Sequence, residues 1–391
     1  MTIGATLSLE TACRRTWDVI VVGAGPAGAL AAKELAERKV AVLLVDRAAF
    51  PRWKVCGCCL NGHALAVLRE TGLASSLIRH GAVPVESIRL ASAGYFAQVP
   101  LSGGMVLSRQ VLDAEIIKAA VQSGAGFLPQ TMVSLARHAS HRECRYLELN
   151  QGSVRTQNSA HIVISAEGLG GNLLAREGHP QVTMASPARI GAGVIVPTAS
   201  PFYTRGQIFM ACGSRGYMGA VRLEDDRVNL AAAFDPSWMR RCGGLGNAAA
   251  ALLAEVGWPA LPHLSEAPWR GTPTLTRRPR RRAAERLFVI GDAAGYIEPF
   301  TGEGIAWALQ SGRLVADLAA RGVNGWHPRL VRQWEAIYER GIAQRQRVCQ
   351  TAAAVLRRSW LTAAIIRLLA AAPALALPLT RYLGTRVVAP R

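Results

Sequence analysis

Trp17-Asp18-Val19-Ile20-Val21-Val22-Gly23-Ala24-Gly25-Pro26-Ala27-Gly28 decides the fold of this chain. Its first half is an apolar, β-branched run that reads as a buried strand, and Ala29 to Arg38 after it reads as a helix. A second apolar strand, Val40 to Val45, ends at Asp46, with Arg47 beside it. Strand, glycine turn, helix, strand and terminal acid in that order make a βαβ unit that binds a dinucleotide. Gly23 permits the tight turn, Gly25 lets the backbone approach a pyrophosphate, and Gly28 lets the helix close on the strand. Pro26 and Ala27 belong to the same cofactor-binding turn, ahead of a helix whose free N–H groups and dipole favour phosphate charge. Asp46, eighteen residues after Gly28, can accept hydrogen bonds from an adenosine ribose. This fingerprint alone suits FAD and NAD equally.

Composition bounds the rest. A chain of 391 residues, half of them apolar, is long enough for two packed cores and reads as a globular enzyme. Lys and Arg number 45 against 26 acidic residues, a net +19, but only four of the basic residues are lysines. Such an arginine bias follows base composition as readily as function, so no nucleic-acid partner is expected; a basic surface also suits anionic membranes or phosphorylated substrates. Met1 to Trp17 lacks the apolar core of a signal peptide, and a cytoplasmic location is expected. Eight cysteines are consistent with reduced thiols. Cys56, Cys58 and Cys59 share one loop, but C-x-C-C without a second Cys or His pair is a poor zinc site, and no metal is expected.

A motif near the other end separates the cofactors. Arg286 to Ile290 is a short apolar strand leading into Gly291-Asp292-Ala293-Ala294-Gly295, then Pro299-Phe300-Thr301-Gly302-Glu303-Gly304, then a helical pattern from Ile305 to Ala320. A carboxylate at Asp292 can hold a polyol hydroxyl, while Gly302 and Gly304 allow close backbone approach at a helix start. This stretch resembles the second FAD signature of the glutathione-reductase superfamily. The resemblance implies FAD as cofactor, assigns Asp292 to the ribityl chain, and aims the helix start Gly302-Glu303-Gly304-Ile305 at the flavin. Ile162 to Gly168 resembles a strand that usually ends Ala-Asp-Gly; Glu167 stands in place of the aspartate, and the usual serine is absent from Leu169-Gly170-Gly171-Asn172. Leu107-Ser108-Arg109, ahead of the helical stretch Gln110 to Ala120, resembles the segment whose arginine reaches the FAD pyrophosphate. As a residue type, Arg109 also suits an exposed helix surface.

Within that superfamily the chain resembles geranylgeranyl reductases, with flavin halogenases and para-hydroxybenzoate-type hydroxylases as cousins. Pro51-Arg52-Trp53-Lys54-Val55-Cys56-Gly57, Gly216-Tyr217-Met218-Gly219-Ala220-Val221 with Val228-Asn229-Leu230, and Gly302-Glu303-Gly304-Ile305 carry the resemblance. The hairpin departs from the family pattern: Gly219 and Val221-Arg222 stand where an aromatic residue and a Phe-Pro pair are usual. The resemblance implies an α/β fold: a discontinuous FAD-binding Rossmann-like domain, an inserted antiparallel β-sheet substrate domain and a C-terminal helical segment. The FAD domain takes residues 15–75, 101–178 and 283–340, the substrate domain 76–100 and 179–282, and the helical segment 341–391. Alternating apolar stretches Ile190 to Val196, Gln207 to Cys212, Gly216 to Leu223 and Arg227 to Phe234 suit a sheet covering a flavin. Arg277-Arg278-Pro279-Arg280-Arg281-Arg282 reads as a solvated loop, or else as a site for NADPH phosphate or lipid headgroups.

From Arg340 to Arg391 there are nine arginines and no acidic residue, interleaved with apolar helical stretches. Leu368 to Thr380 is uncharged but too short to span a bilayer. An in-plane helix contacting anionic membrane and a helical layer packed on the protein itself are equal readings. Three chemistries fit an FAD enzyme here. A reductase transfers hydride to a C=C bond and needs a proton donor, for which Cys56 and Tyr217 are the catalytic candidates, Cys56 by resemblance. A monooxygenase needs a dry pocket. Gly295, where many hydroxylases have histidine, favours the reductase, and the Trp-x-Trp-x-Ile-Pro motif of halogenases is missing. The reading is reduction of an isoprenoid or polyketide-type lipid with NAD(P)H as transient reductant; the alternative is FAD-dependent hydroxylation of an aromatic or lipid substrate.

Overall fold

A computed structural model describes residues 2–101, 103–141, 143–171, 173–174, 182–184, 188–197, 200–298, 300 and 302–384. Met1, Asn172, Pro299, Thr301 and Arg391, named above, lie outside the described residues. The molecule is built on a parallel sheet whose core strands are β1 (Trp17–Val22), β2 (Val42–Val45), β3 (Gly126–Leu128), β4 (Val154–Ser165) and β5 (Leu287–Val289). Their spatial order is β5-β4-β1-β2-β3, with β1 at the centre. A parallel strand covered on both faces needs a continuous apolar run, not an alternating one. That is why Val19 to Val22 and Val42 to Val45 are buried without a break.

Helix α1 (Pro26–Glu37) follows β1, α2 (Arg109–Gln122) precedes β3, and α3 (Gly304–Asn324) follows β5. Gly25 caps α1 in an extended conformation and Pro26 takes its first position, where the missing N–H costs nothing. Residues Pro26 to Ala36 of α1 are all buried, held between α2 and α3. The crossings are tight enough to exclude side chains. A Cβ on Gly28 would lie 1.9 Å from the Gly23 carbonyl oxygen, and one on Gly312 of α3 would lie 2.2 Å from the Ala27 carbonyl oxygen.

A second sheet of seven strands stands over the first. Its order is Arg270–Thr274, Ile190–Val196, Val228–Phe234, Gly216–Arg222, Gln207–Gly213, Ser87–Ser92, Tyr95–Pro100. Every pairing is antiparallel except Gln207–Gly213 against Ser87–Ser92, which is parallel. The period of two sorts its side chains. Phe209, Ala211, Met218 and Ala220 enter a core with Trp258, Leu252 and Leu253, while Ile208, Met210, Tyr217, Gly219 and Val221 face a cavity shared with the first sheet.

The arginine run, read from sequence as a solvated loop, is partly structural. Arg277–Pro279 pairs as a strand with Val182–Met184, Arg277 donates to the Leu169 carbonyl, and Arg282 binds Glu335 at 3.0 Å and the Ala294 carbonyl at 2.9 Å. Arg278, Arg280 and Arg281 are exposed.

Three helices end the described chain: α4 (Gln344–Leu356), α5 (Ser359–Ala371) and α6 (Leu377–Gly384). Helix α5 buries Thr362 and Ile366 and packs against Ser87–Ser92 and Tyr95–Pro100. Among the described residues no single helix is long and apolar enough to cross a membrane; Ser359–Ala371 and Pro373–Thr380 pass such a test only together, and they are bent by 119°. The C-terminal arginines are not all directed outward. Arg345 binds Glu303 at 3.1 Å, Arg357 lies 3.5 Å from Glu298, and Arg347 pairs with Glu339.

Candidate active site

The glycine turn and α1 open on a cavity of about 710 Å³ between the two sheets. Gly25, Pro26, Ala27, Arg47, Arg109, Gly291, Asp292, Gly302, Gly304 and Ile305 all line it, though they come from distant parts of the chain. Gly23 and Gly28 do not line it. They shape the turn from behind: Gly23 has φ +107°, and a Cβ there would strike the Ala166 carbonyl. Asp46 sits behind the same turn, accepting from the Ala24 N–H at 2.7 Å and the Ala48 N–H at 2.8 Å.

The donor set around Gly25 fits a pyrophosphate. A Cβ built on Gly25 would point between two guanidinium groups, with Nη2 of Arg109 and Nη2 of Arg52 each 3.8 Å away. Arg109 is buried and held by Asp113 through two hydrogen bonds of 2.7 and 2.8 Å, so it is not the exposed helix residue that its type allowed. Burial works against its charge, but Asp113 and Cys56 outweigh that and keep it protonated. Arg52 lies 3.8 Å from Asp46, and its Nε is buried without a hydrogen-bond partner, a donor left for a ligand. Two cations and a helix N-terminus thus converge where a backbone glycine leaves room, which is the chemistry a dinucleotide phosphate needs.

Farther in, Asp292 follows β5, and Lys54 Nζ stands 3.8 Å from its Oδ2. Burial lowers the Lys54 pKa, with Asp292 opposing the shift. The first residues of α3 face the same space, so its dipole points into the cavity. Glu303 departs from the sequence expectation. Its carboxylate is fully buried away from the cavity, accepting from Arg345 at 3.1 Å and from the Cys349 thiol at 3.1 Å. It joins α4 to the turn, because a carboxylate that close to a buried guanidinium is held there by charge, and burial raises its pKa. Glu167 is similarly structural, its Oε2 accepting from the Ser165 hydroxyl at 2.9 Å and the Leu173 N–H at 3.0 Å.

Both catalytic candidates line the cavity. Cys56 Sγ accepts from the Cys58 N–H at 3.5 Å and lies near the Cys58 thiol and Arg109; together these overcome burial and pull its pKa down to about 6. Its carbonyl is fixed at 2.8 Å by Nδ2 of buried Asn229 in the second sheet. Tyr217 lies edge-on to Phe300, with ring centroids 5.2 Å apart, and the Arg189 guanidinium is 5.6 Å from its ring. Arg189 and Glu298 form a buried pair at 3.1 Å behind it. Burial and the Glu298 charge push the Tyr217 hydroxyl well above its ordinary pKa, so it keeps its proton at neutral pH.

Sequence reading missed Arg52, Asp113, Asn229 and the Arg189–Glu298 pair as parts of the site. Arg52 and Asn229 stood inside the quoted motifs without a role. Asp113 carried the one local signal, a carboxylate four residues after Arg109 on a helix.

Comparison with known proteins agrees with this geometry. Residues 16–172 match the family model of an FAD binding domain. The menaquinone reductase of Mycolicibacterium smegmatis is 28% identical over 336 residues, covering 78% of this chain and 76% of that protein. The digeranylgeranylglycerophospholipid reductase of Methanoculleus marisnigri is 26% identical over 324 residues, covering 79% and 77%. Among solved structures, a flavin-dependent brominase superposes with a TM-score of 0.75 at 18% identity, covering 95% of this chain and 94% of the other; at that identity the likeness is one of fold.

Proposed function

We propose that this chain, a geranylgeranyl-reductase-like FAD-dependent oxidoreductase, reduces C=C bonds of an isoprenoid or polyketide-type lipid, with NAD(P)H as the reductant. One observation carries the lipid assignment: the cavity wall remote from the glycine turn is made by Leu369, Ala376 and Leu379 of the C-terminal helices. These helices also present apolar side chains outward. Trp360 is 70% exposed, Leu368 54% and Leu375 56%, and Phe96 at 60% lies on the strand that α5 packs against. A long apolar substrate then passes from a lipid surface into a site walled by Ile88, Leu90, Val99, Ile208, Met210 and Val221. Gly219 widens that wall where the family usually has an aromatic residue, and the nearby lining residue Ala231 is small as well.

Bound FAD supplies the hydride equivalent. Arg52 and Arg109 would hold its phosphates and Asp292 its polyol, with Gly302 and Gly304 leaving room for close approach at the start of α3. Tyr217, protonated at neutral pH, orients or protonates the substrate from the second sheet. Peripheral contact with an anionic membrane belongs to the same reading, but its source is mainly apolar, because Arg345, Arg347 and Arg357 are engaged with carboxylates.

Anaerobic incubation with NADPH and an isoprenoid quinone or geranylgeranyl lipid in vesicles tests the reading. A product two mass units heavier per reduced bond, formed without oxygen, is expected. A product carrying one added oxygen, formed only in air, overturns the reductase assignment in favour of hydroxylation.

A further inference from the structure

The cavity wall holds more sulfur than the reduction requires. Cys56, Cys58 and Cys59 all line it, in the loop that passes between Arg109 and the turn before α3. Cys59 comes within 3.8 Å of the position a Cβ would take on Gly302, so the loop lies against the helix start expected to face the flavin. Within the loop the three thiols are not equivalent. Cys58 has φ +58°, which folds the three-residue stretch back on itself. Its N–H donates to Cys56 Sγ at 3.5 Å and its thiol donates to the Cys56 carbonyl at 3.7 Å, so both sulfurs lie at the same fold of the loop. The Cys59 thiol turns instead to the Gly57 carbonyl at 3.2 Å. Outside the loop, Asn229 pins the Cys56 carbonyl and Arg109 flanks its sulfur. These surroundings push the two thiols in opposite directions. Cys56 is pulled to about 6, while Cys58 is pushed well above its ordinary value by the neighbouring Cys56 and by burial.

We propose that Cys56 and Cys58 form a redox-active dithiol that closes to a disulfide and is reopened by electrons from the flavin of the same site. Closure begins when the Cys56 thiolate attacks a peroxide. The O–O bond breaks, hydroxide leaves and takes a proton from solvent, and sulfur is oxidised to a sulfenic acid. The Cys58 sulfur then displaces the sulfenic oxygen, which departs with the Cys58 proton as water, leaving the S–S bond. In reopening, the S–S bond accepts two electrons and one proton from reduced FAD, which becomes oxidised. Cys58 leaves as the thiol and Cys56 as the thiolate beside Arg109, in line with the direction in which each group's pKa is pushed.

The inference rests on the assignment of the cavity to FAD. To test it, the holoprotein is treated with hydrogen peroxide, excess peroxide is removed, and free thiols are alkylated with N-ethylmaleimide before peptide mass analysis. All three cysteines fall in one peptide after Lys54, so a Cys56–Cys58 link appears as a loss of two mass units with Cys59 still alkylated. A second aliquot is made anaerobic and its flavin photoreduced with EDTA and light. The expected result is return of both thiols in the illuminated sample and none in the dark one. Anaerobic reduction of the oxidised protein should consume four electrons, and Cys58→Ser should lower that to two. A flavin-loaded protein that forms no link, or one whose link survives complete flavin reduction, overturns the proposal. A folded protein that purifies without flavin overturns the FAD assignment, and the dithiol proposal with it.

Discussion

At Gly25 the absence of a side chain is a binding feature. The space where a Cβ would stand is bounded by two guanidinium groups at 3.8 Å, and a branched side chain would fill it. Gly25→Val should therefore yield folded protein without FAD, read as loss of flavin absorbance with an unchanged circular dichroism spectrum; stoichiometric flavin in the mutant counts against the cradle. Cys56 gives a pH-dependent test. Its folded pKa of about 6 lies below its ordinary value of 9.0, so between those limits the unfolded chain binds the extra proton. Its contribution to stability is fully present above about pH 9 and is lost as pH falls through about 6. The stability difference between the native protein and Cys56→Ser should widen from pH 6 to pH 9 in chemical denaturation. A constant difference removes the thiolate. At this scale the sequence was legible where contacts are local or glycine-encoded, as at Gly23, Gly25 and Gly28. It was silent about Asn229, whose partner Cys56 lies across the fold, and about Arg52, which closes on Asp46 and Gly25 only once the glycine turn has formed.

Among the elements, α4 illustrates how a charge can be misread. The sequence shows a basic, acid-free tail, and Arg345 counts there as one of nine arginines whose direction the pattern leaves open. In the structure Arg345 is 7% exposed and bound to Glu303, which is fully buried. Breaking such a pair from one side leaves a stranded charge, at a cost of about 3–5 kcal/mol. Arg345→Met should loosen α4 to α6 from the turn before α3, seen as faster hydrogen exchange in 344–384 with the parallel sheet unchanged. Unaltered exchange would make the pair incidental. Four strands of the second sheet, those within 190–234, were legible from their apolar pattern; Ser87–Ser92, Tyr95–Pro100 and Arg270–Thr274 were not. Nor was the strand order, since the parallel pairing of Ser87–Ser92 with Gln207–Gly213 joins segments that no local pattern connects.

For the molecule as a whole, two sheets and a helical edge enclose one cavity, and the edge decides what can enter. Leu368 is exposed while its neighbour Leu369 lines the cavity, so one turn of α5 serves both surfaces. Substituting both leucines therefore confuses docking with substrate binding. Trp360→Glu with Leu368→Glu should abolish liposome co-sedimentation while FAD content stays intact. With Arg345, Arg347 and Arg357 already paired, salt should weaken binding of the unmodified protein less than the nine arginines suggest. Strong binding that vanishes in salt but survives the double substitution would assign docking to charge.

The order of the parallel sheet also bears on how the protein is made. Its central strand leaves the ribosome first, yet β5 and Asp292, which complete the cofactor site opposite Gly25, emerge only after most of the polypeptide has been synthesised. Flavin capture is thus a late event that ties the earliest and latest parts of the product together, and a ligand that binds only the closed form stabilises it by mass action. A flavin-poor cell lacks that stabilisation, so the abundance of the polypeptide should follow flavin supply.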